Sequence, residues 1–454
     1  MLPDRSRRYR RIRATQALVT TIALMPTLAL AQPIDSQQTT LKATDANERF
    51  AVAERAVNAG RIADAIAIYH QLERDPSVDV RCEARFRHSE LLVAKSNYSG
   101  AAVLLRATLD EKPDWQRARL AFARALARIG REPSARRELR QAQVTPVTVE
   151  LQPQVDAFAD ALLKVPPVGG ALEVAFAPNS SIDRASAATL LSPEILPFSL
   201  TRSAPVFSGN GLRISSQLYG YLPVAPRILA TIKLTLNNHL YPTASYDDHV
   251  GTLEAGAVAQ WHRQRLRVTV GDTLRIYGAN VNSQTGFVSA NWLREIGARD
   301  QIELGGSLGD IHYENTKARD GKIYVASFTL EHAFAARAGG RFTIYAERET
   351  ARTAGYASYL IGANALAWHE FGKSTVFATL AVQHLMADGA LVLVPMPMVR
   401  EDWLLRGGCG VALRKFKVFG FAPSIRATYT RNLSSIANQR YSNPEGEFAL
   451  NHAF

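Results

Sequence analysis

Cysteine is nearly absent: two in 454 residues, Cys82 and Cys409, which is too few for a disulfide scaffold. They fall in segments of different character, so each is expected as a single buried or lipid-facing thiol. Long apolar runs are equally scarce. Only residues 17–31, at the extreme N-terminus, invite a membrane-helix reading, which excludes a multi-span helical transporter. A transmembrane barrel survives that exclusion, because its strands are about ten residues long and apolar only at alternate positions.

Chemical signatures are missing too. The ten histidines are scattered, without HExxH or a Cys/His cluster at zinc-ligand spacing. No GxSxG, P-loop or GxGxxG in a βαβ setting occurs. No nucleophile and base can be nominated, so no catalytic role, cofactor or metal is expected. Gly209-Asn210-Gly211 and the glycines at 407–410 fall in strand patterns, where small residues relieve crowding. The acidic pairs Asp247-Asp248 and Glu401-Asp402, near strand ends, read as solvated rim. Basic residues are dispersed, whereas nucleic-acid binding wants them clustered.

What is present falls into three parts. Arg5, Arg7, Arg8, Arg10, Arg11 and Arg13 precede an apolar core and the small-x-small site Ala29-Leu30-Ala31, the pattern of a secretory leader cleaved after Ala31. Its six arginines and Asp4 carry +5 of the formal +12, leaving +7 on the mature chain. A linker at 32–43 follows.

Residues 44–165 have apolar positions at spacings of three and four, a helical period. Three segments superpose: Gly60, Ala65 and Tyr69; then Ser96, Ala101 and Leu105; then Gly130, Ala135 and Leu139, at offsets of 36 and 34 residues. The spacing resembles tetratricopeptide repeats, helix pairs that stack into a solenoid and bind peptides or proteins. Ala65, Ala101 and Ala135 are expected where helices cross closely, and 147–164 as a capping helix.

After Pro166-Pro167 the period becomes two. Ile228, Ala230, Ile232, Leu234 and Leu236 alternate with Leu229, Thr231, Lys233, Thr235 and Asn237. About fourteen such segments fill 169–454, joined by alternating long and short connections, the pattern of an outer-membrane barrel. The connection at 278–283 is expected to be long and that at Phe416 a tight turn. Arg213, Arg267, Arg275, Arg406 and Arg426 fall on the polar, lumen-facing phase; whether Glu173, Glu254, Glu303, Glu331 and Glu347 pair with them is not readable from the sequence. An even strand number puts both barrel ends at the short-turn side, so the helices are expected beneath that mouth, in the periplasm. The fold class is therefore an all-α repeat domain followed by an all-β, roughly 14-stranded antiparallel transmembrane barrel.

Gly446, Phe448, Leu450 and the terminal Phe454 resemble the last-strand signal read by the bacterial barrel-assembly machinery. Two further stretches resemble the surface lipoprotein assembly modifier family: Pro178, Ser180, Ile182, Arg184 and Ala185 match its PxSxIxRA segment, and Arg431, Ser434 and Ile436 its RxxSNI-like segment. Asp183 and Ser435 stand where the family more often has Asn. The resemblance implies an outer-membrane protein that moves client lipoproteins or related secreted proteins to the cell surface. It also implies periplasmic chaperones and the assembly machinery as partners, outer-membrane lipid as surroundings, and no cofactor or nucleic acid. An exopolysaccharide export porin and a solute porin carrying a periplasmic repeat domain are the competing architectures.

Overall fold

A computed structural model describes residues 36–144, 152, 155, 158, 168–179, 184–185, 202–203, 209–261, 263–390, 398–413, 415–416 and 421–452. The expected leader and its cleavage site, Ser180, Ile182 and Phe454 lie outside these residues, as does most of the 147–164 segment. Two compact units divide the chain, Met1–Arg49 and Phe50–Phe454; all contacts described below lie within the second.

Among the described residues, six helices come first: α1 (Ser36–Asn58), α2 (Ile62–Leu72), α3 (Val78–Ala94), α4 (Tyr98–Glu111), α5 (Gln116–Arg128) and α6 (Glu132–Ala142). From α2 onward each packs against the next in chain order. The aligned positions Gly60, Ser96 and Gly130 share one backbone conformation, with φ of 74°, 59° and 83°. The turn around each is the same. The residue itself bonds back to Val57, Val93 or Ala127, and the next residue reaches Ala56, Leu92 or Leu126. This left-handed closure satisfies the last carbonyls of the preceding helix. Ala65, Ala101 and Ala135 are fully buried, and Tyr69, Leu105 and Leu139 nearly so. The core runs through Phe86, Leu105, Leu120, Phe122, Leu126 and Leu139, and Val155 and Phe158 join it.

The strands follow: β1 (Val168–Asn179), β2 (Arg184–Ala185), β3 (Arg202–Ser203), β4 (Gly209–Ala225), β5 (Ile228–Leu240), β6 (Asp248–Trp261), β7 (Gln264–Tyr277), β8 (Asn280–Ile296), β9 (Asp300–Tyr313), β10 (Gly321–Ala335), β11 (Ala338–Glu349), β12 (Ser358–Phe371), β13 (Ser374–Ala390), β14 (Val399–Leu413), β15 (Phe421–Ser434) and β16 (Tyr441–His452). Fourteen of them close an antiparallel barrel in the order β1, β4 through β16 and back to β1, while β2 and β3 form a separate two-residue pair.

The period of two explains which face each side chain takes. Leu218, Leu222, Ile232, Val270, Ile361 and Leu380 are exposed on the outside, and Thr231, Lys233, Thr269, Thr273, Thr329 and Thr343 are buried inside. Hydroxyl pairs tie neighbouring strands across the inner wall: Thr252 with Thr273 at 3.0 Å, Thr269 with Ser289 at 2.8 Å, Thr329 with Thr343 at 2.9 Å. Exposed aromatics mark both rims of the apolar band, Tyr324, Tyr359 and Trp403 near one end and Phe334, Phe342 and Phe371 near the other. Ten residues of tilted strand between Tyr324 and Phe334 give a band about 25 Å tall, the height expected of such barrels. Cys82 is buried and Cys409 exposed on the outer face, both as free thiols.

One connection differs from expectation. Tyr277 pairs with Asn280, so β7 and β8 join through a two-residue turn in which Gly278 takes φ 59°. A shift of register between Arg275 and Ile276 absorbs the extra residue that had read as loop. At the turn expected near Phe416, the Phe416 N–H bonds back to the Leu413 carbonyl at 3.2 Å, and residues 417–420 lie outside the described ones.

Candidate functional site

A densely charged buried surface lies where α6 meets the short-turn end of the barrel. In α6, Ala135, Leu139 and Ala142 fall on one face and are buried in the helical core. Glu132, Arg136 and Arg140 recur every four residues, so they stack on another face. That face meets the barrel. Glu132 pairs with Arg265 of β7, and Arg136 with Glu295 of β8 at 2.7 Å. Arg140 pairs with Glu331 of β10 and donates to Gln301 of β9 at 2.6 Å. Glu331 also receives Arg341 from β11 at 2.8 Å.

Neighbouring groups extend the contact around the rim. Tyr219 of β4 donates to the Gly130 carbonyl at 2.6 Å, and Arg299, between β8 and β9, donates to the Val144 carbonyl at 2.5 Å. Arg137 lies over the Trp368 ring of β12 at 5.6 Å. Arg106 of α4 pairs with Glu370 of β12 at 2.9 Å. Behind α6, Arg119 of α5 is 1% exposed and holds Glu138 at 2.5 Å, Gln141 at 3.0 Å and the Pro113 carbonyl at 2.8 Å. The helices thus touch strands from β4 to β12 across the mouth.

Charge balance is what makes this burial tolerable. Burial alone would raise the Glu132 pKa, but Arg265 and Arg136, with Arg267 beyond them, outweigh it and hold the carboxyl down at about 2. Burial likewise works against charge on Arg106, and Glu370 and Glu138 reverse it, so its pKa lies above the usual arginine value. Arg136 is shifted upward for the same reason, by Glu132 and Glu295.

The lumen-phase arginines are placed as follows. Arg213 of β4 reaches Glu173 of β1 at 2.7 Å and Glu447 of β16 at 3.1 Å, and Arg426 of β15 lies 3.7 Å from Glu447. These four groups bridge the closing seam, where β1 and β16 pair over Glu173–Phe176 and then at Asn179. Arg275 forms a two-point pair with Asp248, both bonds 2.8 Å. Arg267 donates to the Tyr221 hydroxyl and Arg406 to Thr430. Glu254 pairs with Lys233 at 3.4 Å. The acidic residues near strand ends have protein partners as well: Asp247 accepts the Tyr241 N–H, Asp402 binds Arg400, and Glu401 binds His384.

Of the family-motif residues, Pro178 pairs with Asn210 in the β1–β4 register, and Arg184 and Ala185 form β2. Arg431 is exposed near the end of β15, Ser434 is the buried last residue of that strand, and Ile436 is buried in the loop to β16. There Ser434 Oγ accepts the Ile436 N–H at 3.1 Å, and Arg440 closes on the Ser434 carbonyl at 2.6 Å. Gly446, Phe448 and Leu450 share the outward phase of β16, with Phe448 exposed. What sequence reading missed is the α6 stripe. Glu132, Arg136 and Arg140 carry a visible period of four, but no signal in the chain names their barrel partners.

No curated protein matches the chain. Among solved structures, OprD of Pseudomonas aeruginosa aligns at 9% identity over 62% of this chain and 94% of its own, with a TM-score of 0.29. OmpT of Vibrio cholerae, lacking loop L8, gives 10%, 63%, 99% and 0.32. CdiB from Acinetobacter baumannii gives 8%, 64%, 60% and 0.34. A family model described as surface lipoprotein assembly modifier matches residues 178–454.

Proposed function

The chain belongs to the surface lipoprotein assembly modifier family, outer-membrane transport proteins, and from that premise we propose that it is a translocon whose α6 guards the entrance. In this reading the barrel spans the outer membrane, with its short turns and helices in the periplasm. The helical hairpins receive a client lipoprotein or related secreted protein, delivered by periplasmic chaperones, and the barrel provides its exit to the surface.

The observation that carries the reading is the charged contact between α6 and the barrel mouth. A structural brace is served as well by apolar packing, since replacing a buried ion pair with packed hydrophobics is often neutral or stabilising. Buried ion pairs differ in being exchangeable. A client segment with its own charges can substitute for α6 one pair at a time, and the groups left behind can be solvated by water entering the lumen. With no nucleotide in the periplasm, the driving force is client folding or delivery. Glu173, Arg213, Arg426 and Glu447 meanwhile keep the seam closed.

The test is to compare surface-exposed proteins of cells with and without the gene, by protease shaving and mass spectrometry. One or a few proteins should leave the surface and accumulate in the periplasm. An unchanged surface proteome would sink the proposal and turn attention to glycan export and solute permeability.

A further inference from the structure

Away from the barrel mouth, three side chains with metal-ligating atoms meet at the end of α2. His70 lies in the last turn of α2, Glu73 caps that helix, and His88 reaches them from α3. His70 Nδ1 is 3.3 Å from one Glu73 carboxylate oxygen, and His88 Nδ1 is 2.7 Å from the other. The imidazoles stand edge to face with centroids 4.7 Å apart. One ligand atom from each residue falls within 4.8 Å of the others, with His88 buried, Glu73 half-buried and His70 exposed.

We propose that His70, Glu73 and His88 form a binding site for a divalent transition metal, with Zn2+ the best fit, and a fourth position open to water. Two imidazole nitrogens and one carboxylate oxygen are the donor set of three-ligand zinc sites that keep such a position. Calcium and magnesium instead take shells of oxygen. Ligand bonds of about 2.0–2.2 Å put tetrahedral donors roughly 3.4 Å apart. Here the His70–Glu73 pair is at 3.3 Å, the His88–Glu73 pair is tighter at 2.7 Å and all three donors lie within 4.8 Å of one another, so a modest rotation of exposed His70 opens the site to an ion. Burial raises the Glu73 pKa, but the hydrogen bond and charge of His88, then those of His70, hold it below the usual carboxylate range. A bound ion would fasten the end of α2 to the middle of α3 and stiffen that hairpin.

The test uses the untagged full chain in detergent, stripped with EDTA, titrated with ZnCl2 by calorimetry, with Co2+ as a spectroscopic probe of coordination. The native chain should bind one Zn2+ tightly and melt at a higher temperature when loaded. His70→Ala removes an exposed ligand without disturbing the core. It should weaken binding at least about tenfold, since even an outer partner of a metal ligand costs that much. Glu73→Gln should do the same, with helix content unchanged by circular dichroism. Absence of Zn2+ binding by the native chain, or binding by both variants as tight as the native, would overturn the site. The three residues would then be only a hydrogen-bonded brace between α2 and α3.

Discussion

Glu132 is the residue on which the barrel-mouth contact turns, because it faces Arg265 and Arg136 together. Glu132→Gln keeps the shape but leaves two buried arginines with less opposing charge. Breaking a buried pair by removing one partner costs about 3–5 kcal/mol. The expected outcome is a helical region that separates from the barrel more readily, seen as earlier protease cleavage of that region in the folded protein. The pH dependence follows from the same carboxylate. Its folded pKa of about 2 lies below an unfolded value of about 4.3, so its contribution is complete above about pH 5 and fades as pH falls toward 2. Cleavage should be flat from pH 8 to 5 and rise near pH 3 in a pH-tolerant protease assay. A rise already between pH 7 and 5.5 would mean that another group governs the contact.

Among the elements, the helix-ending turns allow a sharper comparison. Gly60 and Ser96 occupy the same left-handed turn, one without a Cβ and one with it. An L-residue there costs about 1–2 kcal/mol. Ser96→Gly should therefore stabilise the helices by about 1 kcal/mol, and Gly60→Ala, whose added Cβ meets nothing within 4 Å, should destabilise them by a similar amount through backbone strain alone. Thermal unfolding followed by far-UV circular dichroism would measure both, and equal effects of one sign would refute the shared turn. These turns were legible in sequence because the repeat of Gly60, Ser96 and Gly130 is local. The strands were legible for the same reason, since a period of two survives any arrangement of neighbours. Their ends were less so: the two-residue turn at Gly278 depends on a register shift that leaves Asn282 of β8 unpaired in the ladder, and nothing in the chain marks that shift.

At the scale of the whole molecule, the site was beyond sequence reading because its partners are far apart in the chain. Arg136 and Glu295 are separated by 159 positions, Arg140 and Glu331 by 191. Spacing patterns carry no information across such gaps; only barrel closure brings these groups together. That closure also sets up the decisive experiment on the route. If clients enter through the mouth, α6 must move away from the rim. Arg299 and Val144 sit at the edge of the contact, where a thiol reagent can reach them, and the Arg299 side chain touches the Val144 carbonyl at 2.5 Å. After Cys409→Ser removes the exposed native thiol, Val144→Cys and Arg299→Cys can be joined by a short bis-maleimide. The cross-linked protein should keep its barrel, judged by heat-modifiable mobility on gels, yet lose surface display of its client. Each single-cysteine variant, treated identically, should retain it. Display that persists in the cross-linked protein would show that α6 need not leave the mouth. The route would then run along the seam that Arg213 and Glu447 hold together, and Glu447→Gln, not Glu132→Gln, would be the variant that changes export.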